Sequence, residues 1–191
     1  MTELEMKKYS RNALLGSFVS MLTAGLATMM YSVSISTIRT DLALTAVQAG
    51  SLGTYTFMGQ MLGGMVAGYL ADRYGRKNIL IVDVILATLA VFATSLLQSY
   101  SIFGILRFIT GVGLGGCYYI ASILIGEFVP TNKRGFMSGV ATSVWNFGYV
   151  VCCAMSAFAL PSIGWRWCFR ICALPIVFVI FMIFGMKDAP S

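Results

Sequence analysis

The sequence predicts an all-α membrane protein, a bundle of six transmembrane helices, and three observations predict it. Apolar residues fill 58% of the 191 positions and charged residues only 10%, which leaves too little polar surface to wet a soluble domain. The mean hydropathy is +0.84. Uncharged runs cover 12–38, 42–71, 84–106, 108–126 and 135–165, with a shorter one at 171–186, each near or above the ~20 residues that cross the hydrocarbon core as a helix. Lipid offers backbone amides no partners, and these runs are far longer than the tilted strands of a barrel. The spans are therefore placed at 12–38, 46–71, 78–98, 101–126, 138–160 and 167–186, after a polar lead at 1–11 and before the start of a central loop at 187–191.

Basic residues set the orientation, because positively charged loops stay cytoplasmic. Lys7, Lys8 and Arg11 precede the first span, Arg73, Arg76 and Lys77 join the second to the third, Lys133 and Arg134 join the fourth to the fifth, and Lys187 follows the sixth. On the other side stand Arg39, Arg166 and Arg170. Both termini are thus expected in the cytoplasm. The net charge of +6 reads as topology and not as a nucleic-acid surface. The first span is too long for a signal-peptide core and is expected to stay in the membrane.

Five cysteines, Cys117, Cys152, Cys153, Cys168 and Cys172, all fall inside spans and are odd in number, so they do not form a disulfide framework. Soft thiol and thioether ligands could handle copper, but with no histidine in the chain these cysteines and the stripe Met58, Met61 and Met65 read as packing residues.

Along the first span, Ser17, Ser20, Thr23, Thr28, Tyr31 and Ser34 fall within an arc of roughly 140°, opposite Leu15, Phe18, Leu22, Leu26, Met29 and Val33. The hydroxyl face either lines a polar cavity or lets neighbouring helices approach. In the second span Gly59 and Gly63, then Gly64 and Gly68, have the four-residue spacing that allows backbones to pack closely. The methionine stripe runs on to Gly68 and Asp72 along one face.

Asp83 lies about two turns into the third span, a costly depth for a charge unless it is paired. It is a candidate proton site or, preferably, an ion-pair partner of Arg73, Arg76 or Lys77. The fourth span carries Arg107 with Gly111, Gly113, Gly115 and Gly116. No strand precedes these glycines, so a dinucleotide fingerprint is excluded. Arg107, Gly111, Tyr118 and Ser122 lie within roughly 60° of one another, and an arginine so deep must face protein or water, where it can bind an anion. Ser138, Thr142, Trp145, Asn146, Tyr149, Cys153 and Ser156 form a polar stripe in the fifth span, in which Trp145 offers a stacking surface and Asn146 a two-way hydrogen-bonding group. The sixth opens with Gly164, Trp165, Arg166 and Trp167, aromatics for the outer interface, and is otherwise a supporting helix.

These residues resemble a known family. Gly68, Leu70, Ala71, Asp72, Arg73, Gly75, Arg76 and Lys77 fill every specified position of the loop signature between the second and third helices of the major facilitator superfamily. Arg107 with Gly111 and Gly113 is similar to that family's fourth-helix arginine and glycine motif. Glu127, Pro130, Arg134 and Gly135 resemble the acidic and basic pair of sugar-porter-like and metabolite:proton-symporter-like members, and Gly164, Trp165, Arg166 and Pro175 fit the latter group. The resemblance implies a secondary transporter working by alternating access, with substrate near the membrane midplane. It also implies a cytoplasmic gate built from Gly68, Asp72, Arg73, Gly75, Arg76 and Lys77, with Glu127 and Arg134 in the same network. The first span lacks the acidic residues of aromatic-acid:proton symporters. Ser122, Leu124 and Thr142 also depart from the sugar-porter pattern.

The expected function is proton-coupled movement of a small organic anion or similar metabolite, in the plasma membrane of a bacterium, with Tyr31, Arg107, Tyr118, Ser122, Trp145 and Asn146 lining the substrate cavity and no cofactor. Efflux by antiport and a non-transporting subunit are the alternatives. An enzyme is excluded, since no nucleophile has a base beside it and no metal cluster is present in the sequence. Transporters of this family have two six-helix halves, so a second half is the expected partner, supplied by covalent continuation, a second copy or a separate chain.

Overall fold

The computed structural model describes residues 3–178, with side chains from residue 11 onward. Six helices follow one another, α1 (Glu3–Asp41), α2 (Ala46–Tyr74), α3 (Arg76–Thr94), α4 (Tyr100–Phe128), α5 (Arg134–Phe158) and α6 (Leu160–Cys172). Short 3-10 turns occupy Thr131–Lys133 and Leu174–Ile176, and there is no strand among the described residues. Among the described residues four segments, Arg11–Asp41, Arg76–Thr94, Tyr100–Phe128 and Thr131–Phe158, are long and apolar enough to cross a membrane.

Local chemistry explains the boundaries. Thr45 caps α2 by accepting from the Gln48 amide while the Gln48 side chain accepts from the Thr45 amide, satisfying two donors that the helix start leaves open. Gly75 separates α2 from α3 at φ 88°, a backbone region that disfavours side chains, and its N–H closes onto the Ala71 carbonyl at 3.0 Å. The third helix stops at Thr94, short of the expected 98. There the Thr94 and Ser95 hydroxyls bond carbonyls of their own helix, and such local bonds compete with continuation.

The sixth element departs most from expectation. It starts at Leu160 and not at 167, with proline in its first turn, where the missing N–H costs nothing. It then breaks at Gly164, φ 76° and ψ 165°, and ends at Cys172 before the turn around Pro175. The remainder of the expected sixth span, from 179, lies outside the described residues.

Packing follows the small residues. A side chain at Gly59 or Gly63 would overlap the α4 backbone at Phe108 and Val112, and one at Gly111 or Gly115 would overlap the α2 backbone at Thr56 and Gln60. The two helices therefore cross backbone to backbone. Gly25 and Gly148 bring α1 and α5 together in the same way. The hydroxyl stripe of α1 turns inward. Ser17, Ser20 and Thr23 are fully buried and donate to carbonyls one turn back, Ala13, Ser17 and Val19, so this part of the stripe is a packing face and not a cavity wall.

Two faces are left uncovered. In α5 only Ala141, Gly148 and Cys152 are buried, and Ser138, Thr142, Asn146, Tyr149 and Cys153 are exposed. On α2, Met58, Met61 and Met65 are 51%, 66% and 69% exposed.

Candidate functional site

The site is built around Arg107, which the fourth helix carries to the centre of the bundle with no exposed surface. None of its three guanidinium nitrogens has a hydrogen-bond partner. The cation lies among aromatic faces, 5.2 Å from the ring centre of Tyr31, 5.9 Å from Phe103 and 5.3 Å from Phe169. Ring quadrupoles attract a cation but accept none of its hydrogen bonds. Burial of a charged donor group without acceptors is expensive, and an anion is a group whose oxygens can supply them.

Space for such a ligand lies next to it. Arg107 borders a cavity of about 230 Å³ walled by Thr28, Tyr31, Ser32, Gly53, Thr56 and Phe57, among others. The Tyr31 hydroxyl donates to the Ala49 carbonyl at 2.5 Å, which fixes that ring against α2. A larger cavity of about 660 Å³, lined by Gln60, Met61, Leu114, Tyr118, Tyr119 and Trp145, shares Thr28, Met29 and Phe57 with the first. The two cavities adjoin between α1, α2, α4 and α5, and Arg107 borders the smaller one.

Four of the six residues expected to line a cavity border these two: Tyr31 and Arg107 the smaller, Tyr118 and Trp145 the larger. Ser122 and Asn146 border neither. Both are exposed and bonded within their own helices, Ser122 to the Tyr118 carbonyl and Asn146 to that of Thr142. Ser122 lies one turn beyond Tyr118 along α4, whereas Asn146, next to Trp145, is turned about 100° away from the cavity on the exposed face of α5. Gln60, Phe57 and Tyr119 line the cavities without having stood out in the sequence. Gln60 carries a readable signal, an amide in an otherwise apolar span. Phe103 and Phe169 carry none, since phenylalanine in a membrane helix is ordinary until a cation is found against its face.

The Gly68–Lys77 stretch lies at the junction of α2 and α3. Arg76, the first residue of α3, forms an ion pair with Glu127 near the end of α4 and lies 3.8 Å from Asp72 of α2. Arg73 stacks over the Tyr74 ring at 5.6 Å. Gly68 faces the Tyr119 ring. Arg134 donates to the Val129 carbonyl at 3.0 Å and makes no ion pair with Asp72 or Glu127, so the expected network holds Asp72, Arg76 and Glu127 without it.

Of the partners expected for Asp83, Arg76 pairs with Glu127 and Arg73 stacks on Tyr74. Asp83 is 6% exposed, its Oδ2 has no hydrogen-bond partner, and the carboxyl is pressed against Gly116 of α4. Arg76 points along the helix end towards Glu127, away from the interior where Asp83 lies.

A family model described as Major Facilitator Superfamily matches residues 17–191. The chain belongs to the major facilitator superfamily. It is 33% identical over 176 residues to the cis,cis-muconate transport protein of Acinetobacter baylyi, an alignment covering 92% of this chain and 43% of that protein. Over 145 residues it is 34% identical to the niacin transporter NiaP of the same organism, covering 76% of this chain and 33% of that one. The inward-open xylose transporter XylE from E. coli superposes with a TM-score of 0.82 at 21% identity, over 95% of this chain and 49% of that chain, which is a likeness of fold. The chain thus spans less than half the length of these relatives.

Within the superfamily the fold and the relatives are those of membrane transporters and not of enzymes. The six helices correspond to part of the longer XylE chain.

Proposed function

We propose that this chain contributes one six-helix half of a secondary active transporter that moves a small organic carboxylate by alternating access, coupled to protons. Arg107 carries the reading: its buried guanidinium has three nitrogens lacking acceptors, and the residue borders a cavity of about 230 Å³, so that a shift of the surrounding rings during alternating access would let a carboxylate make bidentate contact with it. The aromatic and thioether walls formed by Tyr31, Phe57, Met29 and Trp145 suit a planar, unsaturated body. The named substrates of two relatives, cis,cis-muconate and niacin, are of that chemistry.

Asp83, buried with an unpartnered oxygen, is the proton-carrying candidate. Asp72, Arg76 and Glu127 form the cytoplasmic gate. The distribution of Lys and Arg supports placing that end in the cytoplasm, and the bacterial relatives support the plasma membrane of a bacterium. The exposed α2 methionines and α5 polar stripe are the faces that a second half would cover.

Uptake of radiolabelled nicotinate and cis,cis-muconate by cells expressing the protein, compared with cells expressing R107A and with protonophore-treated cells, tests the reading. Accumulation that R107A abolishes and the protonophore collapses is expected. Equal uptake by R107A and wild type would remove Arg107 as the carboxylate contact.

A further inference from the structure

Arg107 has no hydrogen bond to fix its direction, so the ring faces around it must do so. Two of those rings are held by a third that never touches the arginine. Trp165 lies 6.1 Å from Phe103 and 5.6 Å from Phe169, the latter edge-on at 84°. It is 2% exposed, so the sixth helix sends it inward and not to the interface for which its sequence position suited it. The break at Gly164 immediately before it makes that turn possible.

The indole is fixed from the other side as well. Its Nε1–H donates to Asp41 Oδ2 at 3.0 Å, and the same oxygen accepts from Arg166 Nη1 at 2.8 Å. Arg166 also lies over the Trp165 ring at 4.5 Å. Asp41 ends α1, the helix that supplies Tyr31, the remaining face against Arg107. One carboxylate therefore ties α6, which carries Phe169, to α1, which carries Tyr31.

We propose that Trp165, held by the Asp41 carboxylate, is a positioning residue that sets the orientation of Arg107 towards its cavity and through it the preference for an anionic ligand. The inference rests on Arg107 as the carboxylate site. A residue acting through a neighbour in this way is expected to matter because a misdirected donor loses its ligand as surely as a missing one.

The test uses the chain in lipid nanodiscs with 15N-labelled arginine, following the Arg107 Nε–H resonance, which is identified by its loss in R107K and which the ring faces displace upfield. W165F keeps a ring but removes the indole N–H, and D41A removes the acceptor. Both are expected to move the resonance towards that of an exposed arginine, while D41N, which retains an acceptor oxygen, leaves it near the wild-type position. An unmoved resonance in W165F and D41A overturns the proposal.

In the same samples nicotinate is titrated against nicotinamide, a neutral analogue of the same shape. The preference for nicotinate is expected to fall about tenfold in W165F and D41A, the scale seen when an outer partner orienting a binding group is lost, with nicotinamide binding unchanged. Equal weakening of both ligands would show a merely structural role and overturn it. A wild-type chain with no preference for nicotinate would sink the carboxylate reading of Arg107, and the resonance would still decide whether Trp165 orients the side chain.

Discussion

Arg76 and Glu127 form an ion pair that joins the start of α3 to the end of α4, and the same guanidinium lies 3.8 Å from Asp72 at the end of α2. Three helix ends are thus held through one side chain. Asp72 is 74% exposed at its side chain and Glu127 37%, so water screens both contacts and each is worth at most about 1 kcal/mol to folding. Contacts that weak can be broken and remade during a conformational cycle.

E127Q is therefore expected to change unfolding free energy in detergent by less than about 1 kcal/mol while slowing transport markedly. The charge-swapped pair R76E/E127R should recover part of the flux that either single change removes. A large loss of stability in E127Q, or no recovery in the swap, would count against a gate.

Gly63 and Gly111 stand where α2 and α4 cross with backbones in contact, whereas nothing lies near Gly50 of the same α2 helix. G63A and G111A must push the helices apart and are expected to destabilise by about 1–3 kcal/mol. G50A should be neutral or stabilising by up to about 1 kcal/mol, since alanine costs the helix less entropy. Melting curves of the three variants in one detergent decide the matter.

R107M is expected to bind no nicotinate and yet to melt at a higher temperature than wild type. Removing a buried charge whose hydrogen bonds are unmet recovers several kcal/mol. Against this, each ring face attracts the desolvated cation by about 2 kcal/mol, but three faces leave every N–H donor unmet and Phe103, at 5.9 Å, is near the limit of that attraction's range. A lowered melting temperature would mean that the charge is already compensated in place.

Asp83 packs against Gly116 so closely that no larger group fits. D83N preserves the shape, so folding should be retained, and the expected change is functional: exchange of substrate across proteoliposomes persists, but a pH gradient no longer drives accumulation. Gradient-driven accumulation in D83N would remove Asp83 as the proton carrier. G116A should unfold or misassemble, because its methyl group would occupy the carboxylate's position.

Much of the site was legible because membranes make polar residues conspicuous. Arg107, Asp83 and the Gly68–Lys77 stretch stand out in a chain that is otherwise apolar, and the structure places Arg107 and Asp83 inside the bundle and Arg76 in a network at its end. The helical wheel left more open. It grouped Ser17, Ser20 and Thr23 with Thr28 and Tyr31, but the first three satisfy themselves on their own carbonyls and only the last two border the cavities. It likewise grouped Ser122 with Tyr118, which lie on one face but at different depths.

The sequence by itself determined the class, the approximate number and placement of helices, the superfamily and the unusual charges, because each depends on composition or on residues near one another in the chain. Tertiary structure alone decided what surrounds each charge. Phe103, Phe169 and Trp165 acquire their roles only when rings from α4 and α6 meet in the bundle, and Asp41 meets Trp165 across 124 positions of sequence. Apolar rings carry no mark of such duties, since the same side chain that faces lipid in one helix can, rotated inward, hold a cation in another.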